Sequence, residues 1–180
     1  MIKEIKSANI DSRIITSQHA ELISRWVSRS DNTNNLTSSY RFELILRGSR
    51  DGFTHSKFHE ICDNQAHTVI IIKVKDSNEV LGGYNPIGWK SDYSSVYNKD
   101  CFIFSFKKNS YILSRAKGGK INAIYNNPHR GPSFGVDLTL WGNNFYNHSY
   151  CLKFCYEKAI RDVDCEFSVE EYEVFKLFDV

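Results

Sequence analysis

The chain has 180 residues, enough for one domain to bury a hydrophobic core without disulfides or a structural metal. Its 23 Lys and Arg residues nearly balance its 21 Asp and Glu residues and form no long basic run, which argues against a nucleic-acid-binding protein. Neither a signal peptide nor an apolar stretch of about 18 residues is present, so we expect no transmembrane segment and a location in the cytoplasm or the nucleus.

The N-terminal part predicts one helix between two less ordered segments. Residues 1–11 have a mixed composition and are expected to be loosely ordered. Ser17 is the predicted N-cap of a helix over 18–28. The apolar stripe of this helix consists of His19, Leu22, Ile23, Trp26 and Val27. Residues 28–39 are rich in Asn and Ser and predict a flexible loop.

The clearest hairpin lies in the middle of the chain. Residues 67–74 form an uninterrupted β-branched run, which is typical of a buried strand. The Asp-Ser-Asn turn at 76–78 leads back into a second strand over 79–85. Gly82 and Gly83 lie inside that second strand, which indicates either a bulge or a close approach of the backbone to another group.

Short apolar runs between turn residues predict a sheet-rich fold. In 40–46, Phe42, Leu44 and Leu46 occupy alternate positions and are expected to share one face of a strand. Further strands are predicted at 101–106, 111–114, 120–125, 134–141, 150–156 and 170–178. The pattern predicts a mainly β (α+β) fold with two antiparallel sheets packed as a β-sandwich, against which the N-terminal helix and a short helix near 54–63 pack.

The short helix carries residue types that bind metals. His55, His59 and Cys62 follow one another at i, i+4 and i+7, so they line up on one side of a helix. However, this spacing matches no well-known ligand pattern, and no fourth ligand is fixed by the sequence. Thr54 is the predicted N-cap of the helix, and Phe58 and Cys62 are predicted to lie on its buried face. We therefore predict a packing helix and no metal, with the two histidines and Cys62 as the candidate ligands if one binds.

The turn before this helix has two interpretations. In a structural role, Gly52 allows a positive φ and the Arg50 guanidinium binds loop carbonyls or a carboxylate. In a functional role, the turn and Trp89 line an edge that binds a partner. Trp89, beside Lys90, could equally close one end of the sandwich. No G-x-S-x-G elbow or other catalytic pattern occurs, so we predict no catalytic residue and no cofactor.

These segments together resemble the TLDc domain family. The resemblance begins with an N-terminal helix in "SRIITSQHAELISRWV" and continues with a Leu-rich strand, an S-R-x-G-F turn and a short helix with a Phe and a Cys. It ends near "EYEVFKL" and covers about 12–178. It implies a single domain over 1–180. The candidate family-motif or partner-facing residues are Ser49, Arg50, Asp51, Gly52, Phe53, Gly83, Tyr84, Trp89 and Lys90.

The resemblance implies a β-sandwich with a link to oxidative-stress resistance and, in several members, binding to the vacuolar proton-pumping ATPase. A catalytic role is not established across that family. We therefore expect a non-catalytic protein-interaction domain whose partner is a protein, with vacuolar ATPase subunits as the family-suggested candidates. A lipid contact through scattered Lys and Arg residues is a further alternative.

A second hypothesis is an oxidant-handling enzyme or a cysteine-based redox sensor. It is motivated by the stress link and by five cysteines that lack any C-x-x-C pair and are expected to be reduced. Cys165 is predicted to be the most exposed of them. If 150–156 is a strand, Cys151 and Cys155 lie too far apart to share one zinc ion. The acidic residues from Asp162 to Glu173 are expected to face solvent.

Overall fold

The computed structural model describes residues 9–30, 40–119, 122–163 and 166–180. Within these ranges no helix is both long and apolar enough to cross a membrane. The helices are α1 (Ser17–Ser28), α2 (Gly48–Asp51), α3 (His55–Cys62) and a 3-10 turn (Asn143–Phe145). The strands are β1 (Tyr40–Arg47), β2 (Thr68–Val74), β3 (Val80–Asn85), β4 (Ser95–Val96), β5 (Phe102–Lys107), β6 (Ser110–Arg115), β7 (Ile124–Tyr125), β8 (Ser133–Phe134), β9 (Leu138–Thr139), β10 (Ser149–Tyr150), β11 (Glu166–Phe167) and β12 (Val169–Asp179).

A large antiparallel sheet organises the fold. Its strand order is β1-β12-β2-β3-β5-β6, so the C-terminal strand lies between the first two strands of the sheet. The strands β8 to β11 form a smaller antiparallel sheet, and β4 pairs with β7. The fold is therefore mainly β with antiparallel sheets in a sandwich-like arrangement, as the sequence predicts.

The large sheet buries apolar side chains on both faces. On one face, Ile23 and Trp26 of α1 pack with Ile71, Phe104 and other alternate residues of the sheet. On the opposite face, α3 and the small sheet cover a second cluster that includes Leu81 and Ile103. Continuous apolar runs such as β2 follow from this two-sided burial, since neighbouring residues of one strand point into different clusters.

Helix α1 starts one residue earlier than predicted. Thr16, not Ser17, is the N-cap: its side chain accepts the N–H of His19, and the His19 imidazole accepts the N–H of Thr16. This reciprocal pair forms a capping box, which a Ser17 cap would lack. The buried side of the helix is also rotated, because Ala20 and Ser24 are buried beside Ile23 and Trp26, whereas Leu22 and Val27 are half-buried.

Strand β1 departs from simple alternation. The pairing with β12 shifts register between Leu44 and Leu46, where Ile45 forms a bulge. Phe42 and Leu44 pack on the α1 side of the sheet, but Leu46 packs on the opposite side. The prediction that these three residues share one face is therefore wrong for Leu46, because the extra residue changes which side the chain presents after it.

Two of the predicted strands, 134–141 and 150–156, are shorter in the structure. Residues 134–141 contain a turn at Gly135, whose φ is +58°, so two short strands replace one long one. Of 150–156, only Tyr150 belongs to a strand, the two-residue β10 that it forms with Ser149. The rest is held differently: the buried Asp137 carboxylate accepts the N–H groups of three residues, Phe154, Cys155 and Tyr156. A side chain thus replaces the backbone ladder that the sequence pattern predicts.

The β2–β3 hairpin has the predicted form, and its glycines mark close approaches. A Cβ on Gly82 would lie 2.3 Å from the Phe104 ring, and one on Gly83 would lie 2.6 Å from the Phe134 ring. The register of β2 with β3 is continuous, so no bulge is present there. Of the two explanations offered by the sequence, close approach is the correct one.

Two buried serines on neighbouring strands give a matched stability test. Ser105 Oγ is buried without a hydrogen-bond partner among the described residues, whereas Ser114 Oγ accepts the Lys158 N–H and donates to the Lys158 carbonyl. We expect Ser105→Ala to leave the free energy of unfolding unchanged or raise it by up to about 1 kcal/mol, and Ser114→Ala to lower it by about 1–3 kcal/mol. Urea denaturation of both variants measures the difference; equal losses would contradict this account.

Candidate functional site

The turn that follows β1 is held by its own side chains. Asp51 accepts the Arg47 N–H at 2.9 Å and hydrogen bonds from Arg50 at 2.8–3.0 Å. The Arg50 guanidinium, hydrogen-bonded to Asp51, lowers the pKa of that carboxyl below its usual value. Arg50 also reaches the Ile45 carbonyl at 3.3 Å, and the Gly52 N–H donates to the Gly48 carbonyl. The turn therefore has one fixed conformation, which we call the 48–52 turn.

Beneath the 48–52 turn lies a buried ion pair. The Glu173 side chain is 0% exposed and pairs with Arg47 at 2.9 Å. Its two oxygens also accept hydrogen bonds from the Ser12 hydroxyl and the Arg13 N–H. Arg47 completes its contacts with Asp11 at 3.0 Å. Both charged side chains of the pair are thus hydrogen-bonded, and the network attaches the segment before α1 to an interior strand of the large sheet.

This network corrects one expectation and bears on the segments on either side of α1. Glu173 was expected to face solvent with the other acidic residues of the C-terminal region, but it is buried, because β12 is an interior strand between β1 and β2. Residues 1–8 of the segment predicted to be loosely ordered lie outside the described residues, whereas Asp11 is bound to Arg47. In the predicted loop over 28–39, Ser28 ends α1 and residues 31–39 lie outside the described ranges.

Aromatic packing fixes the far side of the 48–52 turn. The Phe53 ring packs against Tyr172 at 5.8 Å, and the Tyr172 hydroxyl donates to the Gly52 carbonyl. A Cβ on Gly48 would lie 2.5 Å from Phe53, so only glycine fits there without movement. The next residue, Thr54, caps α3 by accepting the Lys57 N–H, as predicted.

The structure separates the partner-facing candidates into two groups. Ser49, Arg50 and Lys90 are exposed, and Asp51, Gly52 and Phe53 are half-buried. Gly83, Tyr84 and Trp89 are buried, so they cannot contact a partner while the domain is folded. Lys90 also lies apart from the turn: contacts of its neighbours place it beside the C-terminal end of α3, about 12 Å along the helix from the N-cap.

Trp89 instead fills the space between α3 and the small sheet. Its side chain is 1% exposed, and its ring meets Phe58 and Phe134 edge-on, each at 5.3 Å. The indole N–H donates to the Thr68 hydroxyl at 2.9 Å. This placement corresponds to the interpretation in which Trp89 closes the sandwich, and it removes Trp89 from the partner-binding edge.

The three candidate metal ligands of α3 have other contacts. His59 Nδ1 lies 2.7 Å from Asp63, and its Nε2 lies 2.9 Å and 3.0 Å from the Arg130 and Asn127 carbonyls. Cys62 is fully buried, and burial raises the pKa of its thiol. His55 is half-buried, with its ring 6.0 Å from that of His129. No three His, Cys, Asp or Glu side chains of the described ranges are arranged to hold a metal ion.

The cysteines of the described ranges are all buried; they are Cys62, Cys101, Cys151 and Cys155. Burial raises the pKa of Cys101 to about 12 and also raises that of Cys155, which lowers the fraction of reactive thiolate. Cys165, the predicted exposed candidate, lies outside the described residues. Because 151–156 is not a strand, the distance argument against Cys151 and Cys155 as a zinc pair does not apply.

The conformation of Gly52 provides a test of the 48–52 turn. Its φ of 114° and ψ of 157° fall in a region that only glycine occupies readily. We expect Gly52→Ala to lower the free energy of unfolding by about 1–3 kcal/mol. Gly118→Ala is the control, because a Cβ there meets nothing closer than 3.9 Å and its backbone is ordinary. If urea denaturation shows equal losses of unfolding free energy for both variants, backbone strain is not the reason that glycine is required at position 52.

Reasoning from the sequence missed the partners of the 48–52 turn. Arg47 and Glu173 are 126 positions apart, so no local pattern joins them. One signal was available: Glu173 stands between Tyr172 and Val174 inside the predicted strand 170–178, and Arg47 directly follows Leu46 at the end of the predicted strand 40–46. A charge inside such a run requires a partner of opposite sign if the run is buried on both faces.

Comparisons with known proteins bear on the whole chain. A comparison with curated protein sequences finds no match. A comparison with protein families matches residues 8–178 to the TLDc domain. This match includes β1, the 48–52 turn, α3, the hairpin and β12, which are the elements described above. The chain therefore belongs to the TLDc domain family.

Proposed function

We propose that this chain is a non-catalytic protein-interaction domain that acts in the cytoplasm or the nucleus. We further propose that it contributes to oxidative-stress resistance by binding subunits of the vacuolar proton-pumping ATPase. The observation that carries the proposal is membership of the TLDc family over residues 8–178. The family resemblance suggests both the stress link and the ATPase as partner.

The chemistry of the 48–52 turn supports binding rather than catalysis. A nucleophilic serine requires a base within hydrogen-bond reach. In the described parts of the chain, the Ser49 hydroxyl contacts only the Arg13 guanidinium, at 3.3 Å. The carboxylates of Asp51 and Glu173 are already bonded to arginines. These groups stabilise one shape of the turn and leave little free capacity for proton transfer.

The same turn presents a rigid polar surface. Ser49 and Arg50 are exposed, and the Arg50 side chain retains 49% of its accessible surface while bonded to Asp51. Because the backbone beneath is fixed by the buried Arg47–Glu173 pair, a partner loses little conformational entropy from this surface on binding. A preorganised edge of this kind is suited to a protein partner.

Affinity capture tests the proposal. The purified domain is immobilised and exposed to an extract of cells that contain the vacuolar ATPase, and captured proteins are identified by mass spectrometry. We expect ATPase subunits to be enriched over an unrelated β-rich domain. Arg50→Glu should reduce their recovery, whereas Arg25→Glu, which alters an exposed arginine of α1, should not.

The outcome that would refute the proposal is recovery of ATPase subunits no higher than with the unrelated domain. Each variant is first checked by circular dichroism and urea denaturation, so that a folding defect is not read as a binding defect. Retained capture by Arg50→Glu would leave the partner in place and reject only the 48–52 turn as the contact surface.

A further inference from the structure

We propose that Arg130, with the rings of Trp141 and Tyr150, forms a recognition surface for a carboxylate on an acidic segment of a protein partner. The inference deepens the proposed interaction role and rests on it. It concerns residues outside the 48–52 turn that no family motif quoted above includes. We call Arg130 and the rings of Tyr125, Trp141 and Tyr150 the Arg130 surface.

Aromatic rings hold the guanidinium of the Arg130 surface. Its central carbon lies 5.2 Å from the centre of the Trp141 ring, 5.9 Å from Tyr125 and 6.0 Å from Tyr150. Its Nη1 also donates to the Tyr150 hydroxyl at 2.8 Å. Contact between a guanidinium and aromatic rings is attractive, and it does not consume the N–H groups as a carboxylate would.

The backbone that carries Arg130 is fixed at both sides. The Arg130 N–H donates to the Asn127 carbonyl at 3.1 Å, and the Arg130 carbonyl accepts from the His59 imidazole at 2.9 Å. The Gly131 N–H bonds the Leu140 carbonyl at 2.9 Å. The cation is therefore positioned before any ligand arrives, which reduces the entropy lost on binding.

Arg130 differs from most other arginines in the partners of its guanidinium. The arginines that form ion pairs with Asp or Glu are Arg25, Arg29, Arg41, Arg47, Arg50 and Arg161. Arg130 forms no ion pair with any carboxylate of the described ranges. A guanidinium has five N–H donors, and one of them bonds Tyr150. The remaining donors can accommodate a carboxylate in the two-point geometry that arginine favours.

The composition of the surface selects the ligand. A nucleic acid or a polyphosphate requires several cations in a row, and the Arg130 surface holds a single fixed one. One guanidinium matches one carboxylate. Trp141 is 42% exposed beside it and offers an apolar ring to a neighbouring side chain of the ligand. An acidic peptide with an apolar residue next to its carboxylate fits both features.

Fluorescence anisotropy tests the inference with a defined probe. The probe is a fluorescein-labelled peptide of four glutamates around one phenylalanine, and the control peptide has glutamines in place of the glutamates. We expect the purified domain to bind the acidic peptide and not the control. Arg130→Gln should weaken binding at least about 10-fold. Arg130→Lys keeps the charge but loses the paired N–H donors of the guanidinium, and it should weaken binding less.

Arg41→Gln is the matched control variant, because Arg41 also lies over an aromatic ring, Phe178, but has its own carboxylate in Glu43. It should bind the acidic peptide like the unaltered domain. Equal binding by Arg130→Gln, or no binding of the acidic peptide, overturns the inference. Binding of phosphatidylserine vesicles or inorganic phosphate in place of the peptide, with the same dependence on Arg130, overturns it as well.

The peptide-binding test and the capture experiment can give opposite results, and each result rejects a different proposal. If the peptide does not bind but ATPase subunits are captured, the Arg130 surface is rejected and the proposed function stands. If the peptide binds through Arg130 but no ATPase subunit is captured, the surface stands and the ATPase is rejected as its partner.

Discussion

Glu173→Ala is expected to lower the free energy of unfolding by about 3–5 kcal/mol, as is typical when one partner of a buried ion pair is removed. Arg47 would keep its charge with only 9% of its side chain exposed. Its other carboxylate partner, Asp11, is 76% exposed and therefore interacts more weakly through solvent. The Ser12 hydroxyl and the Arg13 N–H would also lose their acceptor. Urea denaturation followed by circular dichroism measures the loss.

Two further variants separate charge from hydrogen bonding in this prediction. Glu173→Gln keeps an oxygen that can accept from Arg13 and Arg47, so its loss should be smaller than that of the alanine variant. Glu170→Gln, on the same strand but exposed, should change stability by less than about 0.5 kcal/mol. A Glu173→Ala loss no larger than that of Glu170→Gln would mean that the ion pair does not hold this end of the domain.

Trp89→Ala is the second large effect, with an expected loss of about 3–5 kcal/mol. The substitution removes a fully enclosed indole and leaves a cavity between Phe58 and Phe134, which rigid neighbours fill only in part. Trp89→Phe should cost less, since it keeps an aromatic ring but removes the N–H that bonds Thr68. Urea denaturation measures both losses of stability, provided that the dependence of the free energy of unfolding on urea concentration is the same for all variants.

Phe154→Ala is the control for Trp89, because the Phe154 side chain is 63% exposed. Its backbone N–H, which bonds Asp137, is unaffected by the change. Its loss should be well below that of Trp89→Ala. A similar loss of unfolding free energy for the two variants would show that neighbouring side chains fill the cavity left by Trp89.

These stability effects bear on how binding variants are interpreted. Trp89 and Glu173 are buried, so weaker partner binding by their variants would result from a destabilised fold. Arg50 is exposed, and Arg130 is only half-buried, so changes there can alter binding while the core stays intact. A binding assay that includes both kinds of residue can therefore distinguish a contact surface from its support.

Local signals predicted several elements well. Thr54 caps α3 because its side chain reaches the Lys57 N–H only three residues away, and Phe58 and Cys62 are buried through helical spacing. The hairpin between β2 and β3 follows from a β-branched run and a polar turn. Such features depend on neighbours in the sequence, so the sequence contains the information that specifies them.

Other predictions failed where distant residues decide the local conformation. The bulge at Ile45 depends on the pairing of β1 with a strand from the other end of the chain. The segment after Tyr150 follows the Asp137 carboxylate rather than a neighbouring strand. Neither partner is visible to a pattern that covers a few residues, and a bulge moves the side chains that follow it, such as Leu46, to the other face.

By itself, the sequence determined the mainly β class, the caps and turns of individual elements, and the residues that resemble a TLDc domain. The tertiary structure decided which of those residues a partner can reach, because burial depends on what covers a side chain. It also brought Glu173 to Arg47, and Trp141 and Tyr150 to Arg130. Hydrogen bonds and ring contacts act only over a few ångströms. The residues that form these contacts are far apart in the sequence, and folding brings them together.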